Sequence, residues 1–229
     1  MSFVGLLLTS KRAHLLFTVF AFLVTYYFIK PQKRTGRLIK ASFILFGVLA
    51  LIIIMSGFIP ELASTFKRFD VGDNGDISNN RFALWGIAME GFKSSPVFGI
   101  GWYGYALLYN KYMILGIKDQ AAHNVYIQML CENGIVGLIC YLIIVIFIFT
   151  KTVTLLKSVS AADSSYHYFL SLSLCIQSFF LSYSLTGNCL YDRMYYFYAF
   201  ACALTFYVAR KLKEKELIAK NESRNINVS

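Results

Sequence analysis

Arg12, Arg81 and His123 are the side chains best suited to polar chemistry in a sequence that is otherwise mostly apolar. A guanidinium stays protonated and makes paired, charge-assisted bonds, which suits phosphate. An imidazole titrates near neutrality and can take a proton from a hydroxyl. Together the three point to an anionic substrate and a base. Behind His123, the residues Asn124, Gln128 and Glu132 recur at a spacing of four, which places them on one helix face. Glu132 lies about 12 Å along that helix from Asn124. Each residue also has a plainer reading. The arginines could be snorkelling interfacial side chains, His123 an interfacial residue without chemistry, and Glu132 a structural partner for a basic or backbone group.

The elements that must position these groups follow from composition. The chain has 229 residues, of which 57% are hydrophobic, 17% aromatic and 15% charged. Soluble domains run near 45–50% apolar and about 25% charged. A soluble fold could not hide this much apolar surface, and disorder fails for the same reason. The expectation is an all-α, polytopic helical membrane protein with about five transmembrane helices and a long extracytoplasmic loop. The net charge of +10 reads as membrane topology, because the basic residues cluster between apolar runs, and nucleic acid is not expected as a partner. Cys131, Cys140, Cys175, Cys189 and Cys202 form no CxxC pair and read as small hydrophobes.

Five spans are expected. Span A is Ala13–Ile29, short enough that Lys11 and Arg12 sit at or near the interface. Span B is Ala41–Ile59, closed by Pro60. Span C covers Asn124–Thr150, with its unbroken apolar part at Ile135–Phe149. Span D is Tyr166–Leu185 and span E is Met194–Val208. The A–B loop, the C–D loop and the tail carry thirteen of the 22 Lys and Arg, and they mark the cytoplasmic side. The stretch Pro60–Ala122 has balanced charge and faces out. The divisions are therefore 1–59 (N-terminal spans and basic loop), 60–123 (extracytoplasmic loop with an interfacial helix), 124–209 (C-terminal spans) and 210–229 (cytoplasmic tail). Met1–Leu8 is apolar but too short to span, and it reads as the end of an upstream helix of a larger protein.

The outer loop is too long for a passive connector. Ser78-Asn79-Asn80 offers helix caps, and Arg81, Trp85, Ala88 and Phe92 recur at helical spacing with Leu84 and Ile87 beside them. That predicts an amphipathic helix on or in the outer interface, ended by Ser94-Ser95-Pro96. Gly99 and Gly101 form a GxG with no strand before it, so a tight turn that lets backbone approach a neighbouring helix is favoured over phosphate contact. Asp70, Asp73 and Asp76 faintly resemble a calcium loop, but Arg81 occupies the twelfth position where a Glu would be needed. No metal and no cofactor are expected.

The stretch from Asn80 to Phe149 resembles the O-antigen ligase/polymerase superfamily. The matching pieces are Arg81-x-x-x-Trp85, Ser95-Pro96-Val97-Phe98-Gly99-Ile100-Gly101, Ala122-His123-Asn124-Val125-Tyr126 and Glu132-Asn133-Gly134-Ile135-Val136-Gly137. Upstream, Leu8-Thr9-Ser10-Lys11-Arg12-Ala13 is similar to the family's T-x-S-R-G segment, with Lys11 inserted and Ala13 in place of Gly. Relatives carry more spans, so the chain corresponds to their C-terminal portion. The resemblance implies a GT-C-like partial bundle in the plasma (inner) membrane, with its site on the extracytoplasmic side. It implies a metal-independent glycosyltransferase that uses polyprenyl-pyrophosphate-linked glycans to build surface or capsular polysaccharide or O-antigen. Arg12 and Arg81 would hold the donor pyrophosphate and His123 would be the base. Asn124 would orient the imidazole or a sugar hydroxyl. Membrane lipids, the missing N-terminal half and other polysaccharide-assembly proteins would be its further partners.

A polymerase joining repeat units is the leading reading, with an O-antigen ligase as its alternative. A transporter or flippase-like protein would need polar residues forming a path along several spans. A non-catalytic remnant is the third reading.

Overall fold

The computed structural model describes residues 12–29, 81–112, 121–159 and 163–226, together with positions 36, 40, 43 and 47. Expectations for Met1–Leu8, for span B apart from residues 43 and 47, for the Asp70–Asp76 turn and for the Ser78–Asn80 caps lie outside the described residues. The described residues form six α-helices and no strand: α1 Arg12–Ile29, α2 Arg81–Ser94, α3 Gly104–Tyr112, α4 Val125–Ser158, α5 Ser164–Tyr183 and α6 Met194–Ile226.

α4 is the central element and touches all five other helices. Gly134 interrupts it with φ 64° and ψ −168°, a conformation open almost only to glycine. The part beyond the kink, Ile135–Ser158, rises about 36 Å, enough to cross a hydrocarbon layer. Its apolar run begins where span C was expected to become unbroken. Ile139, Ile143, Ile144, Ile146 and Phe147 project outward from it. Among the described residues α4 is the one helix long and apolar enough to cross a membrane.

Spans A, D and E form helices but are less apolar or shorter, for identifiable reasons. The apolar part of α1 is only Leu16–Ile29. α5 carries Ser173, Gln177, Ser178 and Ser182 on its buried side, which lowers its average hydropathy. α6 is apolar to Val208 and then continues, without a break, as a charged helix to Ile226. In that extension Arg210 and Lys211 both pair with Glu214, holding its carboxyl below the usual carboxylate range. Lys215 reaches Asp163 just before α5.

α5 packs between α1 and α6, and α2 and α3 cover the first turns of α4. Thr152, Ser173, Gln177 and Thr205 tie α4, α5 and α6 together at depth through hydroxyl–hydroxyl and amide–hydroxyl bonds of 2.8–2.9 Å. Interhelical bonds of this kind stabilise apolar bundles modestly. All four side chains are fully enclosed and bond to one another, so they form a closed knot and not the open polar path a transporter needs.

The structure corrects the reading of α2. Its buried stripe is Leu84, Ile87, Ala88 and Gly91, set against Tyr105, Tyr109, Ala122 and Cys131. Arg81, Trp85 and Phe92 flank that stripe and do not define it. The helix is therefore packed into protein by this narrower stripe of small and aliphatic residues. Small residues on this stripe let α3 and α4 approach closely and pack densely against it.

Candidate active site

Four chain segments meet at one end of the bundle: the start of α1, the start of α2, the residues before α4, and the end of α5. Asn124 caps α4 with its side-chain oxygen accepting from the Ile127 N–H at 3.1 Å. Its Nδ2 donates to the Leu185 carbonyl at 3.1 Å, and the Val125 N–H donates to the Ser184 carbonyl at 2.9 Å. Tyr126 adds a bond to the Leu181 carbonyl at 2.9 Å. These contacts lock the His123–Asn124 corner onto the end of α5. Asn124's described partners are backbone groups, which hold the chain beside residue 123.

His123 itself stands in the left-handed region at φ 50°, a strained conformation for a non-glycine residue. Such strain persists only where the surroundings over-determine it, and it clusters at functional sites. The surroundings here are specific. The Trp85 ring N–H donates to the carbonyl of Ala122 at 2.9 Å, and the Ala122 N–H donates to Gln128 Oε1 at 3.3 Å. Ala122, the residue before His123, is thus held through both of its peptide groups.

Arg81 lies one turn, about 6 Å, before Trp85 on α2. Its guanidinium is within electrostatic reach of the Tyr183 phenol at the end of α5. The Tyr183 ring packs against His14 of α1 with centroids 4.2 Å apart, and Phe179 stacks beside it. Arg12, the first described residue of α1, lies two residues before His14, with its side chain outside the described atoms. The structure therefore joins the segments carrying Arg12, Arg81, His123 and Asn124.

Glu132 was expected on the Asn124 face, and it is, but it sits just before the kink at Gly134 with 1% exposure. Oε1 accepts from the Tyr105 N–H at 3.3 Å and from Gln128 Nε2 at 3.2 Å. Oε2 accepts from the Tyr191 hydroxyl at 2.6 Å. Burial first, and then the Glu132 carboxylate, push the Tyr191 phenol well above its ordinary value. Nearby, burial pushes the Cys189 thiol up to about 12, which fits the reading of this cysteine as a small packing group.

The two glycine motifs pair with each other. At the kink, the Ile135 and Val136 N–H groups leave the helix ladder and donate to the carbonyls of Pro96 and Val97 at 3.0 and 3.2 Å. The carbonyls of Cys131 and Glu132, freed in turn, accept from the Ile100 and Gly101 N–H groups at 3.0 and 2.9 Å. Residues 96–101 are spliced into the helix in this way. A Cβ on Gly99 would collide with the backbone of Glu132 and Asn133, and one on Gly134 with the Val97 carbonyl and the Gly99 nitrogen. The expectation that the GxG turn allows close backbone approach is met, and its partner is α4.

His14, Tyr183 and Tyr191 were missed by sequence reasoning. His14 lies two residues from Arg12 and could have been flagged as one of only three histidines. The two tyrosines carried no separate signal among sixteen. Residues 1–142 match the family model described as O-Antigen ligase. No curated protein and no solved structure matches the chain. With more than half its length matched, and with its motifs paired in space, the chain belongs to the O-antigen ligase family.

Proposed function

We propose that the chain is a multi-pass glycosyltransferase of the inner membrane that works on lipid-pyrophosphate-linked oligosaccharides at the extracytoplasmic face, joining repeat units as a polymerase. The observation that carries this reading is the junction of the Arg81, His123 and α1 segments over the end of α5. Arg81 and Arg12 bind the donor pyrophosphate. His123 takes the proton of the acceptor hydroxyl, and the oxygen attacks the anomeric carbon as the sugar–phosphate bond breaks. The electron pair leaves with the lipid pyrophosphate, whose growing charge the guanidinium groups stabilise. One base and no enzyme nucleophile predict inversion at the anomeric carbon. Asn124 serves by fixing residue 123. No step is assigned to a metal ion.

The family's description favours a second reading, in which the same chemistry transfers a finished glycan to a different acceptor as a ligase. Mass analysis of lipid-linked glycans in cells with and without the gene separates the two. Single repeat units accumulating without the gene support the polymerase, and finished but untransferred polymer supports the ligase. An unchanged glycan profile overturns both.

A further inference from the structure

The mechanism leaves Glu132 without a task, yet it is a carboxylate enclosed in protein whose described partners are all neutral donors. Burying such a group costs several kcal/mol unless its hydrogen bonds are well satisfied. We propose that Glu132 is a positioning residue for His123, acting through Gln128 and the Ala122 peptide. The inference rests on the reading of His123 as the base.

A carboxylate only accepts hydrogen bonds, whereas a glutamine amide has a donating and an accepting end. Glu132 Oε1 therefore takes the Nε2 end of Gln128 and fixes which way the amide faces. Its Oε1 end is then aimed at the Ala122 N–H. With Trp85 on the Ala122 carbonyl, both sides of that residue are occupied by side chains. The next residue is His123, held in its left-handed conformation. Without the carboxylate, the Gln128 amide can turn over, and the Ala122 N–H would then face a second donor. The residue before the base would lose one of its two anchors. Ile100 and Gly101 bond the backbone carbonyls of Cys131 and Glu132, so the position of the carboxylate is itself set by the loop splice.

The test uses the full chain purified into lipid nanodiscs. Its substrate is the polyprenyl-pyrophosphate-linked oligosaccharide that accumulates in cells lacking the gene. Gln128→Met keeps the volume and removes the relay. Its kcat is expected to fall at least tenfold, with KM for the lipid-linked donor within twofold of the wild type. Glu132→Gln, which restores shape but not the one-way polarity, is expected to fall between Gln128→Met and the wild type. Thr205→Val, in the remote polar knot, controls for general loosening and is expected to keep kcat within twofold. A wild-type kcat for Gln128→Met, or a loss expressed in KM alone, overturns the proposal. So does an equal loss in Thr205→Val. If Gln128→Met does not accumulate, Gln128→Asn replaces it under the same criteria, because it is one methylene too short to bridge both partners. His123→Ala is run alongside. Activity surviving in it removes the reading of the base, whereas an inactive His123→Ala beside an unimpaired Gln128→Met removes the relay alone.

Discussion

Replacing Gly134 by Ala tests the splice between the loop and α4, and the structure supplies the size of the effect. If the kink persists, an alanine must adopt φ 64° and ψ −168°, which costs about 1–3 kcal/mol. Its methyl group also collides with the Val97 carbonyl. If α4 straightens instead, four loop–helix hydrogen bonds are lost and two helical ones regained. At about 1 kcal/mol per bond this is a net loss of roughly 2 kcal/mol, before the loop's packing is counted. Both routes converge on about 3 kcal/mol, or roughly 6–12 °C in Tm for a chain of this size. Two other glycines calibrate the result. Gly101 has φ 98° but no atom near an added Cβ, so Gly101→Ala meets backbone strain alone, about 1–2 kcal/mol. Gly86 is helical with open space around it, so Gly86→Ala should stabilise by about 0.5–1 kcal/mol. Thermal unfolding in detergent measures the series, with turnover recorded in parallel and expected to fall at least tenfold in Gly134→Ala. A Gly134→Ala protein within 1 kcal/mol of the wild type, or less affected than Gly101→Ala, would refute the splice as the reason for these glycines.

Leu84 is enclosed between α2, α3 and α4, so Leu84→Ala should cost about 2–5 kcal/mol in thermal unfolding, while the exposed Phe82→Ala should stay within about 0.5 kcal/mol. Tyr191 has a raised phenol, so its contribution is complete below about pH 10, where a free tyrosine titrates, and is lost as pH rises further. Tyr191→Phe should therefore lose stability less steeply above pH 10 than the wild type, by up to about 1.4 kcal/mol per pH unit, which is the limit for one proton; identical slopes would contradict this. Arg81→Lys keeps the charge but loses the forked donor geometry, so activity should drop about ten- to a hundredfold with protein levels unchanged, measured as product per unit of protein in membranes.

The helices were legible because their signals are local. Apolar runs placed α5 and the start of α6 within two or three residues, and the spacing of Asn124, Gln128 and Glu132 gave their shared face. The helix of α2 was readable, with Leu84, Ile87 and Ala88 among the residues named for it, but the place of Gly91 on its buried side was not, because Trp85 and Phe92 outweigh it in any hydrophobic pattern while the close contact with Cys131 selects a small residue. Both glycine motifs were visible, but their mutual pairing was not, because it exchanges bonds between segments about thirty residues apart. That the segments carrying His123 and Arg81 lie together was an inference from sidedness. What joins them physically is Trp85, Tyr183 and His14, whose types alone carry no pairing information. The Glu132 partners other than Gln128 were unreadable for the same reason: a backbone N–H and a tyrosine from a distant turn leave no mark at the carboxylate's own position.

The central claim is that His123 and Arg81 form one site that consumes a lipid-linked glycan. Its most direct measurement is the lipid-linked glycan content, by mass spectrometry, of gene-deleted cells that carry wild-type chain, His123→Ala or Arg81→Ala at matched membrane levels. Both variants should leave the unconsumed lipid-linked species at the height seen with no gene at all, while the wild type clears it. Clearance by either variant at the wild-type rate would contradict the account.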